Sequence, residues 1–144
     1  MEDKPTTRHL EEILTSLETK QDLLDYLHTP EAESPYHSFK EYFRSLPKTA
    51  AIGPADLARE TNMDRSYCYK IFKEKRPGRD KILLLCIAAK LTNTETRRAL
   101  EAGGVAPLYS RNTRDAVIIY AIEQGYNVYK TNELLDELGM HILE

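Results

Sequence analysis

The chain has 144 residues, of which 41% are hydrophobic and 30% are charged, and its formal net charge is −3. This profile is typical of a globular protein with its own core and excludes an intrinsically disordered chain. No apolar run approaches the ~20 residues of a membrane-spanning helix and no secretory signal is recognisable, so we expect a cytoplasmic protein without membrane contact.

The N-terminal part is predicted to contain two helices and a linker. The first helix, over about residues 7–18, has apolar residues at helical spacing: Leu10, Ile13, Leu14 and Leu17. Thr19 and Asp22 have the spacing of a capping signal for a second, short helix. Two prolines and two glutamates in residues 28–35 indicate a linker, so residues 1–34 are expected to form a helical hairpin or arm.

The central part, residues 35–92, is predicted to be the core of the protein. One helix has inner positions from Phe39 to Leu46 and is ended by Pro47. Pro54 then begins a helix over 54–60. Asn62 is placed to turn the chain because it tolerates positive φ, and Asp64 is a good N-cap for a helix over 64–73.

The C-terminal part, residues 93–144, is predicted to be a helical extension packed on that core. It follows a strongly apolar helix over 80–91, and its own first helix, 93–102, has a capping box. An apolar and buried helix is expected over 113–124. The inner face of the last helix is predicted to hold Val128, Leu134, Leu135 and Leu138. The fold class is therefore all-α, with seven or eight helices.

Positive charge is concentrated in residues 58–81. This segment has eight basic and four acidic residues, a net charge of +4, whereas the other 120 residues have 12 basic and 19 acidic ones. Residues 54–60 and 64–73 are predicted to form two helices joined by a short turn. The inner faces are assigned to Leu57, Met63, Cys68 and Ile71, with Phe72 anchoring the end of the second helix.

These residues resemble the Xre-type helix–turn–helix family, which is related to phage repressors. The features that match over residues 38–92 are Leu57-Ala58, Met63, Ile71-Phe72 and Arg76-Pro77-Gly78. The features that depart from the family pattern are Pro54, Asn62 and Glu74. The resemblance implies a five-helix, repressor-like helix–turn–helix core. The remaining C-terminal part is similar to the helical tail of a subgroup of these proteins.

The resemblance implies double-stranded DNA as a partner, with the 64–73 helix in the major groove. Arg65 suits guanine O6 and N7, and lysines and arginines near the helix suit phosphates. The candidate DNA-binding residues are Arg65, Ser66, Tyr69, Lys70, Lys73, Lys75, Arg76 and Arg79. The alternative is a solvated helix face of a fold that packs against protein instead.

Other residues suggest weaker interpretations. Tyr67 fits either stacking on the sugar-phosphate backbone or partial burial. Cys68 is expected in the core, and neither the two cysteines nor the four histidines have metal-ligand spacing, so no cofactor or metal is predicted. No catalytic constellation is recognisable, so an enzyme is not expected.

A second basic group contains Arg97, Arg98, Arg111 and Arg114. The segment YSRNTRD (109–115) fits a phosphate contact, a phosphorylation site or a docking loop. Internal pairing of the arginines with Asp115, Glu101 and Glu95 is the favoured interpretation.

Two functions follow from the sequence. The first is a sequence-specific transcriptional regulator that acts as a homodimer, because one helix–turn–helix reads a half-site. Its dimer surface is assigned either to the N-terminal helices (Leu10, Ile13, Leu17) or to the C-terminal helices (Leu134, Leu138). The second is an adaptor that uses its N-terminal or C-terminal helices to bind a partner protein, such as a kinase or a toxin.

Overall fold

Eight α-helices and no strand occur in residues 38–73 and 76–144, which are the part of the chain that the computed structural model describes. The helices are α1 (Phe39–Ser45), α2 (Pro47–Ala50), α3 (Pro54–Thr61), α4 (Arg65–Ile71), α5 (Arg79–Ala88), α6 (Asn93–Ala102), α7 (Thr113–Glu123) and α8 (Val128–Glu137). The all-α class is confirmed for these residues. The predicted helices before residue 28, the linker at 28–35 and Lys75 lie outside them.

Helix α2 is the element that the sequence prediction missed. Pro47 ends α1, as expected, but it also occupies the first turn of a four-residue helix. Proline suits both roles, because its missing N–H is not needed in a first turn and its φ is already helical. The Thr49 side chain is buried. Its hydroxyl group donates to the Phe43 carbonyl oxygen and also lies 3.1 Å from the Leu46 carbonyl oxygen, which ties α2 to the end of α1.

The turn between α3 and α4 has the predicted left-handed residue and the predicted N-cap. Asn62 has φ 56° and ψ 30°, the left-handed conformation, at the end of α3. The Asp64 carboxylate accepts a hydrogen bond of 3.1 Å from the Tyr67 amide and so caps α4. Helix α4 ends at Ile71 rather than at residue 73. Phe72 leaves the helix there, and its ring lies 5.6 Å from the Phe43 ring.

Replacing Asn62 by alanine is expected to lower the free energy of unfolding by about 1 kcal/mol, because a Cβ without a local polar group disfavours left-handed backbone. Replacing it by glycine is expected to cost nothing or to stabilise slightly. Urea denaturation of the two variants beside the wild type measures the difference. Equal losses in both variants would contradict the role of backbone conformation at Asn62.

Helix α5 is the centre of the fold. Six consecutive residues, from Ile82 to Ile87, are at most 3% exposed, because α5 packs against α3, α6 and α8. A helix that is apolar on every side must be surrounded. Helix α1 packs against α2 and α6, and α8 also contacts α3 and α7. The described residues therefore belong to one compact unit, Tyr36–Glu144.

Two sequence predictions for the C-terminal helices were too broad. In α7, Ile118 and Ala121 are buried, but Tyr120 is 50% exposed, so one face of this helix reaches solvent. In α8, Val128 and Leu135 are buried, whereas Leu138 is 52% exposed. Leu138 is wrongly assigned to the inner face, because α8 ends at Glu137 and Leu138 only caps it.

Crossed ion pairs join the first turns of α5 and α7. Arg79 donates to both carboxylate oxygens of Asp115 at 2.9 and 2.8 Å. Arg114 donates to both oxygens of Asp80 at 3.1 and 2.9 Å. The sequence predicted that the second basic group pairs with Asp115, Glu101 and Glu95. Of that group Arg114 does form an ion pair, but with Asp80, whereas Asp115 pairs with Arg79 and Glu95 pairs with Lys48. The packing of the two helix starts decides these partners.

Candidate nucleic-acid interface

The outer face of α4 is polar and basic. Arg65, Ser66, Tyr69 and Lys70 are exposed, while Cys68 and Ile71 on the opposite side are at most 1% exposed. This division follows from the helical period, which places the buried residues three positions apart on one face. The core thus fixes the orientation of α4 and presents the four predicted residues to solvent.

Arg65 and Tyr69 lie one helical turn apart and contact each other. The guanidinium carbon of Arg65 is 5.8 Å from the centroid of the Tyr69 ring, which is a cation–π distance. Helix α4 contains no acidic residue, and Asp64 directly before it uses its carboxylate on the Tyr67 amide. The face therefore offers a fork of N–H donors, two hydroxyl groups and an ammonium group without an acid inside the helix.

The inner side of α4 is held by uncharged groups. The Cys68 thiol donates to the Met63 thioether, with 3.4 Å between the two sulfur atoms. Burial raises the pKa of the Cys68 thiol, and the Asp64 charge acts in the same direction while Lys81 opposes them. Cys68 is thus a neutral core thiol, as predicted, and Cys86 is likewise buried and free.

Two lysines that were not among the candidate DNA-binding residues lie beside α4 and the segment that follows it. The Lys40 ammonium group on α1 lies 3.4 Å from the Lys73 carbonyl oxygen, just beyond the end of α4. The Lys81 ammonium group on α5 lies 5.4 Å from the Tyr67 ring centroid. Lys40 is 33 residues from Lys73, so no local pattern could have identified it. Tyr67 is half-buried against the core, which favours the packing interpretation.

The lysines and arginines that were predicted to bind DNA after α4 differ in their exposure and in their hydrogen-bond partners. Lys73 and Arg76 are exposed, and Lys75 lies outside the described residues. Arg79 is engaged internally, because its three guanidinium nitrogens donate to Asp115 and to the carbonyl groups of Ala106 and Pro107. We therefore remove Arg79 from the candidate interface, since its hydrogen-bonding groups are directed into the fold.

Neither a metal site nor a membrane span is found in the part of the chain that the structure describes. There, no cluster of three or more His, Cys, Asp or Glu side chains could hold an ion. None of the helices described is long and apolar enough to cross a bilayer.

Comparisons with known proteins identify no relative. No family model matches the chain, and no match is found among curated proteins or among solved structures. The resemblance to Xre-type proteins thus stays a prediction from the residues.

Proposed function

We propose that the chain is a sequence-specific transcriptional regulator that binds double-stranded DNA with α4 in the major groove. The observation that carries the proposal is the division of α4 into a buried face and a basic, exposed face. In this proposal the predicted core, residues 35–92, is the repressor-like helix–turn–helix core, and its described part holds the five helices α1 to α5. Helices α6 to α8 form the extension.

The exposed groups of α4 suit base edges. Arg65, in the first turn, carries a planar fork that matches guanine O6 and N7. Its contact with the Tyr69 ring limits the guanidinium's freedom, so less entropy is lost when the fork binds. Ser66 supplies a hydroxyl group beside it, and Lys70 supplies an ammonium group one turn further on.

The cations around α4 suit phosphates. Lys73 and Arg76 follow the helix, while Lys40 and Lys81 approach it from α1 and α5. Phosphate contacts set the register of a protein on the duplex and make its affinity depend on salt. A chain with a net charge of −3 can bind DNA in this way, because charge effects are screened beyond ~8–10 Å at ordinary salt.

A homodimer is part of the proposal, because one helix–turn–helix reads only a half-site. Exposed apolar side chains that support a C-terminal dimer surface are Tyr129, Leu138 and Ile142, which are 75%, 52% and 36% exposed. The two half-sites are then expected ~34–36 Å apart.

Selection of bound fragments from random DNA tests this proposal. The purified full-length chain is expected to enrich a palindrome that has a guanine in each half-site. Light scattering of the resulting complex is expected to give two chains per duplex. A selection that enriches no sequence, together with no gel shift at low salt, would overturn the proposal.

An adaptor that binds a partner protein is the second candidate function. Its binding surface has the same exposed side chains, Tyr129 and Leu138, occupied by a partner protein instead of a second copy of the chain. An empty DNA selection and a stoichiometric complex with one purified partner, without nucleic acid, would support it.

A further inference from the structure

The connection between α6 and α7 is anchored beside the start of α5. Arg79 donates hydrogen bonds of 2.9 and 3.0 Å to the carbonyl oxygens of Ala106 and Pro107. The Tyr109 amide donates at 3.0 Å to Asp115, which also binds Arg79. A side chain of the proposed DNA-binding core thus holds this loop of the extension in place.

The tip of this loop is a tight turn. The Asn112 amide donates a hydrogen bond of 2.9 Å to the Tyr109 carbonyl oxygen, so Ser110 and Arg111 are the two central residues of the turn. Both side chains are exposed, and residues 103–113 contain no acidic residue. The Asn112 side chain accepts from the Asp115 amide, which fixes the end of the turn on α7.

The anchor fixes the turn to the same segment of the chain that carries Arg76. Arg76 precedes Arg79 by three residues, so their Cα atoms lie within ~11 Å of each other. Arg111 follows Pro107, which Arg79 binds, by four residues. Arg79 itself is neutralised by Asp115. Arg76, which precedes Arg79, and Arg111, which follows Pro107, are both exposed and positively charged.

We propose that the turn at residues 109–112 is a second contact with the sugar-phosphate backbone of double-stranded DNA. Arg111 binds a phosphate, and the Ser110 hydroxyl donates to the same or the neighbouring phosphate. The C-terminal extension then contacts DNA directly. Arg111 supplies the positive charge that Arg79 does not offer, because Arg79 is paired with Asp115. This inference rests on the proposed function.

The test is the salt dependence of binding by full-length Arg111→Gln, measured by fluorescence anisotropy. Two probes are used: the duplex recovered by selection and a random-sequence duplex. Loss of one phosphate contact is expected to reduce the slope of log K against log[salt] by about 0.9 with both probes. Arg98→Gln is the matched control, because Arg98 is also an exposed arginine but lies on α6. Its slope is expected to equal that of the wild type.

The outcomes separate this inference from the proposed function. If the wild type binds and Arg111→Gln keeps the wild-type slope, Arg111 does not bind a phosphate and the inference is overturned. Protein docking is then the remaining interpretation of the turn. An equal loss in Arg98→Gln also overturns it, because the effect would then be one of net charge. If the wild type binds neither duplex at low salt, the proposed function fails and the inference fails with it. Circular dichroism verifies that both variants are folded.

Discussion

Replacing Asp115 by asparagine is expected to lower the free energy of unfolding by about 3 kcal/mol. Asp115 is 5% exposed, and its carboxylate accepts from Arg79 and from the Tyr109 amide. An asparagine keeps the shape but turns one acceptor into an N–H₂ group that faces donors. The Arg79 guanidinium then stays partly buried without the carboxylate that it binds, which is the main source of the loss.

Urea denaturation of the full chain measures this loss. Asp136→Asn is the matched control, because Asp136 is an exposed acid on α8, and the expected change is below about 0.5 kcal/mol. A double variant that also carries Arg79→Gln is expected to lose less than the sum of the two single losses, since both remove the same pair. If Asp115→Asn were as stable as the wild type, the ion pair would not hold the extension in place.

The effect of Asp115 is also expected to depend on pH. Burial alone would raise the pKa of the Asp115 carboxyl, but hydrogen bonds from Arg79 and the Tyr109 amide, with the charges of Arg79 and Arg114, lower it overall. A carboxyl with a lowered pKa stabilises the fold above its unfolded pKa of about 3.9, and this contribution is lost as the pH falls through the folded pKa. The difference between wild type and Asp115→Asn is therefore expected to be constant near neutral pH and to narrow below about pH 4.

Replacing Arg65 by alanine is expected to weaken binding to the selected duplex by about 2 kcal/mol, or roughly thirtyfold. The loss is expected to be much smaller on random-sequence DNA, because a base contact is made only at the specific site. Arg65 is exposed in the first turn of α4, and the buried residues Cys68 and Ile71 hold the helix in place without it. Folding is therefore expected to be unchanged.

Two further variants distinguish a base contact of Arg65 from a phosphate contact and from a general effect of charge. Lys73→Ala is expected to weaken binding to both duplexes equally and to reduce the salt slope by about 0.9, as for a phosphate contact. Arg97→Ala, an exposed charge change on α6, is expected to leave binding unaltered. Equal losses on the two duplexes for Arg65→Ala would contradict base reading by α4. Competition titrations, repeated over a series of salt concentrations, provide the comparison.

The helices and their ends were largely predictable from the sequence. Asp64 is the N-cap of α4 and α6 begins with a capping box, as the sequence indicated, and Asn62 adopts the expected left-handed conformation. These features depend on residues at most four positions apart, so the local sequence contains the needed information. The outward direction of Arg65 and Lys70 followed in the same way from the helical period.

Contacts between distant residues were decided only by the tertiary structure. Arg79 and Asp115 are 36 residues apart, and Lys40 reaches the end of α4 across 33 residues. Which charges meet depends on how the helices pack around α5, and helix periodicity does not specify that packing. For this reason the sequence by itself determined the exposed basic face of α4. The packing paired Arg79 with Asp115 and placed Lys40 beyond the end of α4 and Lys81 beside Tyr67.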